Sequence, residues 1–198
     1  MDAILNPPAR RSLSPALLAA GALYVALAVP PVRYGLESTL IGHMMVQIPF
    51  LAVCGALVGS KFSHRIGPYA IPLLLVAVFA STFWMIPRWL DAAISDPVWE
   101  LAKFLTIPAL VGAPLGASWS RLSSVARGFV WANGISMIWF LGWLYVAAPQ
   151  RICNNYLLNQ QVDFGYTAYV VGVALVLYWV GRCLFGDWRH EGNISNVP

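Results

Sequence analysis

The chain has 198 residues, of which 59% are hydrophobic and 10% charged, and its formal net charge is +4. Soluble domains carry about 25% charged residues, so this chain lacks the polar surface to face water on all sides, and lipid is the expected cover. The positive charges are dispersed between apolar runs, which excludes a basic nucleic-acid-binding patch; no nucleic acid partner is expected.

Apolar runs long enough to cross a bilayer as helices fall at 15–32, 39–59, 68–87, 97–118, 128–148 and 165–185. The expected fold is an all-α, polytopic integral membrane bundle of six transmembrane helices. Residues 1–14 read as a cytoplasmic N-terminal segment, 15–185 as the transmembrane domain and 186–198 as a cytoplasmic polar tail.

The first run follows Arg10-Arg11 and contains Ala26-Leu27-Ala28, so it reads as a retained helix or as a cleaved signal segment; its continuation past Ala28 favours the helix. Ser14-Pro15 and Asp96-Pro97 each place a capping side chain before a proline in the first turn. Gly67-Pro68 opens the third run and Pro149 follows the fifth.

Lys and Arg positions set the orientation. With the N-terminus inside, Arg10, Arg11, Lys61, Arg65, Arg121, Arg127, Arg182 and Arg189 lie on the cytoplasmic side, against Arg33, Arg88, Lys103 and Arg151 outside. Both termini are then cytoplasmic, and Glu37, Asp91, Asp96, Glu100 and Asp163 gather outside. Nine Trp and eight Tyr suit two membrane interfaces. The triplet Asn193-Ile194-Ser195 has the form of a glycosylation acceptor but falls in the tail assigned to the cytoplasm.

Within the second run, His43 is the only histidine of the three that lies in a membrane-length apolar stretch. An imidazole in lipid is costly, so it points to a function. Gln47 lies one turn on, on the same face, and Cys54 returns to nearly the same azimuth. Pro49 cannot donate to the carbonyl of Met45 and predicts a kink. A packing histidine bonded to a neighbouring helix and a metal-binding histidine both fit this stripe. Met44, Met45, Met85 and Cys153 fall at similar depth, and imidazole, thioether and thiol together suit Cu(I). Cys54, Cys153 and Cys183 show no CxxC spacing and no disulfide framework.

In the fourth run, Glu100 and Lys103 are three apart and predict a pair on one face, a snorkelling pair at the interface or a proton or ion site if deeper. Pro108 and Pro114 release the carbonyls of Phe104 and Leu110. Gly55-x-x-x-Gly59 and Gly112-x-x-x-Gly116 predict close helix packing. Met137 reads as core, and Asn133 and Ser136 as interhelical hydrogen-bond donors. With no triad, phosphate loop or acid–base pair, no enzymatic activity is expected.

Three segments carry a resemblance. Pro30-Pro31, Glu37 and the His43-Met44 helix leading to Gly55, then Asp96-Pro97-Val98-Trp99-Glu100-Leu101-Ala102, then Asn159-Gln160-Gln161 before Gly165, resemble in order and placement the CtaG-type bacterial cytochrome c oxidase assembly factors. The resemblance spans roughly residues 25–175. It implies a multi-pass protein of the bacterial inner (plasma) membrane, an accessory in maturing a respiratory haem-copper oxidase. The implied cargo is Cu(I), bound transiently at the outer leaflet by His43 with Met44 or Met45, joined by Met85 or Cys153, while Asn159, Gln160 and Gln161 order the outer loop or a docking surface. The sequence departs from the pattern at Ile48-Pro49, where the family carries a second histidine, and at Asn159, where it carries aspartate. Two other classes are open: a non-catalytic subunit of a larger membrane complex, and a small-solute or ion transporter using Glu100 and the proline-broken fourth run. The lipid bilayer and other membrane subunits are the expected partners.

Overall fold

The computed structural model describes residues 14–148 and 150–185. Pro149, Arg10, Arg11, Arg189, His190, the tail triplet, and the N-terminal and C-terminal segments beyond these bounds fall outside the described residues. Eight helices account for nearly all of what is described: α1 Pro15–Ala28, α2 Pro30–Glu37, α3 Gly42–Ile66, α4 Ala70–Trp84, α5 Pro87–Ser95, α6 Pro97–Arg121, α7 Ser124–Ala147 and α8 Leu158–Phe185. Among the described residues there is no strand.

α3, α6, α7 and α8 are each long and apolar enough to span a bilayer; α1 with α2, and α4 with α5, complete six spans if each bent pair counts as one. Many large apolar side chains face outward, among them Phe79, Val170 and Leu177, each more than two-thirds exposed. A surface of that kind belongs against lipid, and the chain is an all-α, multi-pass membrane protein.

The bends correct two of the expected spans. The first run does not continue to 32: Val29 takes an extended backbone ahead of Pro30, and α2 leaves α1 at 68°. The third ends at Trp84, and α5 departs at 69° behind Pro87. Both breaks have one cause, since the residue before a proline disfavours the helical region. Their short second helices are amphipathic and lie at the same end of the bundle as the α7–α8 loop, the end that the Lys and Arg count assigns to the outside. Asp96 caps α6 through a 2.8 Å bond from Val98 N–H, as expected, whereas Ser14 makes no side-chain cap on α1.

At the centre, α3 and α6 touch backbone to backbone. A Cβ on Gly55 would strike the carbonyl oxygen of Pro108, and one on Gly59 that of Ala113; Gly112 and Gly116 meet the carbonyls of Ala52 and Ala56 in return. The two small-residue motifs are thus the two halves of one interlock. α1 packs on α3, and α4 on α6. α7 and α8 form an antiparallel pair that packs chiefly on itself. Asn133 does not reach across helices as expected: its amide donates to Met137 Sδ on its own helix, 3.8 Å away, and Ser136 is exposed.

α3 and α6 each contain one turn of π-helix, Gly42–Gln47 and Ile107–Gly112, with Ile48 N–H bonded to the His43 carbonyl and Ala113 N–H to the Pro108 carbonyl. Each wide turn ends two residues before a proline that cannot donate, Pro49 or Pro114, so the widening falls where the helix loses a bond, and the helix continues beyond it. The carbonyl of Phe104, orphaned by Pro108, accepts from the Tyr24 hydroxyl at 3.2 Å.

Candidate functional site

Glu37 closes α2, and the chain then turns sharply into α3. Gly42 makes this turn possible: a Cβ there would collide with the Leu36 carbonyl and lie 2.9 Å from Thr39 Oγ1. Thr39 Oγ1 also accepts from Gly42 N–H at 3.1 Å. The turn folds Glu37 back over the first residues of α3, so that Gln47 Nε2 donates to Glu37 Oε1 at 2.9 Å.

Lys103 enters this corner from α6. It stands six residues beyond Pro97, about 9 Å along the helix axis, and its side chain is fully buried. An ammonium has three protons and no acceptor. Here all three have partners: Glu37 Oε1 at 2.6 Å, Gln47 Oε1 at 3.0 Å and His43 Nε2 at 3.4 Å. The Phe104 ring lies 5.2 Å from Nζ. Gln47 is oriented by these neighbours, its oxygen toward the ammonium and its amide group toward the carboxylate.

The fifth member comes from the α7–α8 loop. Tyr156 Oη lies 3.0 Å from His43 Nδ1 and 3.0 Å from the Glu37 carbonyl oxygen. Burial and the neighbouring Glu37 carboxylate raise the Tyr156 phenol above its ordinary value, burial first, so the hydroxyl keeps its proton. A second ion pair, Arg33 with Glu100, lies beside the cluster in a less buried position. The two ion pairs are each neutral as a unit.

The Glu100–Lys103 pair expected from local spacing is corrected by these partners. Lys103 turns inward to Glu37, and Glu100 is held by Arg33. Lys103 is therefore no snorkelling residue at the interface.

Gln161 organises the loop. Its Oε1 accepts from Ile152 N–H and Cys153 N–H, and its Nε2 donates to the carbonyls of Cys153 and Tyr156. Asp91 on α5 accepts from the backbone N–H groups of Asn154 and Asn155 and from the Asn155 amide. Asn159 is exposed and Gln160 half-buried. All three lie in the first turn of α8, which starts seven residues ahead of the apolar run, because the helix keeps a polar turn at the interface.

His43 is buried as expected, and Gln47 shares its face. Both ring nitrogens are engaged, Nδ1 with Tyr156 and Nε2 with an ammonium that would repel a metal cation. Cys153 Sγ pairs with Tyr145 Oη at 3.1 Å. Met44, Met45, Met85 and Cys153 do pack in the apolar cluster at this end, but among the described residues no three His, Cys, Asp or Glu side chains converge as a metal-binding group. As arranged, the ring has no free lone pair for Cu(I). Cys54 is a buried thiol within the same apolar cluster.

Sequence reasoning found His43, Gln47 and Gln161 and did not connect Glu37, Lys103 and Tyr156 to them. The available signal was the depth of Lys103 inside an apolar helix. No family model, curated protein or solved structure matches the chain.

Proposed function

We propose that this chain is an ion-coupled membrane transporter for a small solute or ion, with Lys103, Glu37, His43, Gln47 and Tyr156 as its coupling site. The observation that carries the reading is the fully buried Lys103 ammonium shared among acceptors from two other segments. Ionisable groups at membrane depth belong to ion pathways and proton relays more than to packing. Glu37 is the exchangeable partner: a competing cation on its carboxylate frees Lys103, and an anionic group can take that carboxylate's place on the ammonium. The two π turns support the same reading, since π turns are frequent at functional sites. The purified chain in proteoliposomes should dissipate an imposed ion or proton gradient, read by an interior fluorescent dye, and Glu37→Gln should abolish the flux. Wild-type vesicles no leakier than empty ones would sink the reading.

A second reading has an observation of its own. The three segments that resemble the oxidase assembly factors meet at one end of the bundle: Glu37 and His43, the start of α6, and Gln161. The sulfur-bearing side chains Met44, Met45, Met85 and Cys153 belong to one apolar cluster of this bundle. An accessory protein in a bacterial inner membrane that passes Cu(I) to an oxidase is consistent with this placement, provided Lys103 and Tyr156 release the imidazole. Anaerobic Cu(I) loading of the purified protein, beside His43→Ala, tests it: about one copper per chain, lost in the variant, supports cargo binding, and no copper in either removes it.

A further inference from the structure

We propose that Tyr156 is a positioning residue that locks His43 as the neutral Nδ1–H tautomer and so aims the Nε2 lone pair at Lys103. The argument follows the protons. The Glu37 carbonyl closes α2, where helical carbonyls lack an intrahelical donor, and it can only accept. Tyr156 has one hydroxyl proton, and its 3.0 Å contact with that carbonyl places the proton there. Its oxygen then faces His43 Nδ1 with lone pairs alone, so the 3.0 Å bond between them requires the proton on Nδ1. A neutral imidazole protonated at Nδ1 is an acceptor at Nε2. The other side of the ring reaches the same answer independently, because the Lys103 ammonium, 3.4 Å from Nε2, donates and cannot accept. The opposite tautomer would set an N–H against the ammonium and leave the hydroxyl and the carbonyl competing for one proton.

Tyr156 sits in the loop that Gln161 and Asp91 hold in place, so the loop decides which nitrogen of a helix-borne histidine meets the buried cation. The consequence for ion coupling rests on the transport reading above; the tautomer does not.

The test is 15N NMR of histidine-labelled protein in bilayers, with His64 and His190 replaced by asparagine so that one ring is observed. Wild-type His43 should show a protonated Nδ1 and a bare, pyridine-type Nε2. The charge-neutral pair Glu37→Gln with Lys103→Met removes the ammonium without stranding a buried charge, and the tautomer should persist because Tyr156 alone holds it. Adding Tyr156→Phe to that pair should give a mixture of both tautomers. A protonated Nε2 in the wild type, loss of the Nδ1–H form in the neutral pair, or an unchanged spectrum after Tyr156→Phe would each overturn the assignment. Absence of transport with the expected spectra removes the transport reading and leaves the positioning role intact.

Discussion

Lys103 Nζ and Glu37 Oε1 lie 2.6 Å apart although 66 residues separate them in the chain. This contact joins α2 to α6 and completes the charge balance of the buried corner. Removing one member strands the other's charge. Such a loss costs about 3–5 kcal/mol, whereas replacing both partners by neutral groups is close to neutral. Lys103→Met and Glu37→Gln should each lower the thermal midpoint in detergent strongly, and the double variant should recover most of it. A double-mutant cycle with strictly additive losses would mean that the pair is not coupled.

The interlock of α3 and α6 predicts a sharp contrast among glycine substitutions. Gly55→Ala or Gly112→Ala forces a methyl against facing backbone, and overpacking of this kind costs about 1–3 kcal/mol. Gly134 has nothing within 4 Å of an added Cβ, so Gly134→Ala should be neutral or stabilising by up to about 1 kcal/mol. Unfolding midpoints of the three variants, measured side by side, check the ranking.

Gln161 satisfies four backbone groups of the loop at once. Gln161→Leu keeps the volume and takes the partner from three of them, the N–H groups of Ile152 and Cys153 and the Cys153 carbonyl, at about 1–3 kcal/mol for each that stays buried and dry, while Arg151 still donates to the Tyr156 carbonyl. Amide exchange at Ile152 and Cys153 should accelerate well before the helices lose protection. Unchanged exchange at both would show that Asp91 and Arg151 hold the loop without Gln161.

Cys153 is buried in the loop, and burial pushes its thiol up to about 11, partly countered by the bond from Tyr145. Only the thiolate alkylates, so at pH 8 about one thiol in a thousand is reactive. Maleimide labelling of Cys153 in the folded protein should be slow at pH 8 and rise about tenfold per pH unit until the thiol titrates. Fast labelling at neutral pH would contradict its buried, protonated state.

Much of this architecture was legible in the sequence. Six apolar runs, the Asp96 cap and the pairing surfaces around Gly55 and Gly112 follow from composition and spacing, because lipid makes the hydrophobic signal strong and glycine leaves a readable gap. The bends at Val29 and Ile86 were also written in the chain, as Pro30-Pro31 and Pro87, but an apolar window averages across them. His43 and Gln47 were found together because they are one turn apart on one helix. Lys103 was assigned to Glu100 because local spacing offers that partner, while the true one lies on a separate helix outside any apolar run. Tyr156 carries no signal at all: its role depends on a loop path that only tertiary contacts define.

The partners of Lys103 are made before Lys103 is. Glu37, His43 and Gln47 all precede it, so its partners are already synthesised when α6 enters the membrane. A lysine ammonium buried in the membrane without such partners is costly. Tyr156, by contrast, is synthesised some fifty residues later and arrives with the last hairpin. The nascent chain therefore holds its charge safely from the sixth helix onward, and docking of the final two helices becomes the step that seals the corner.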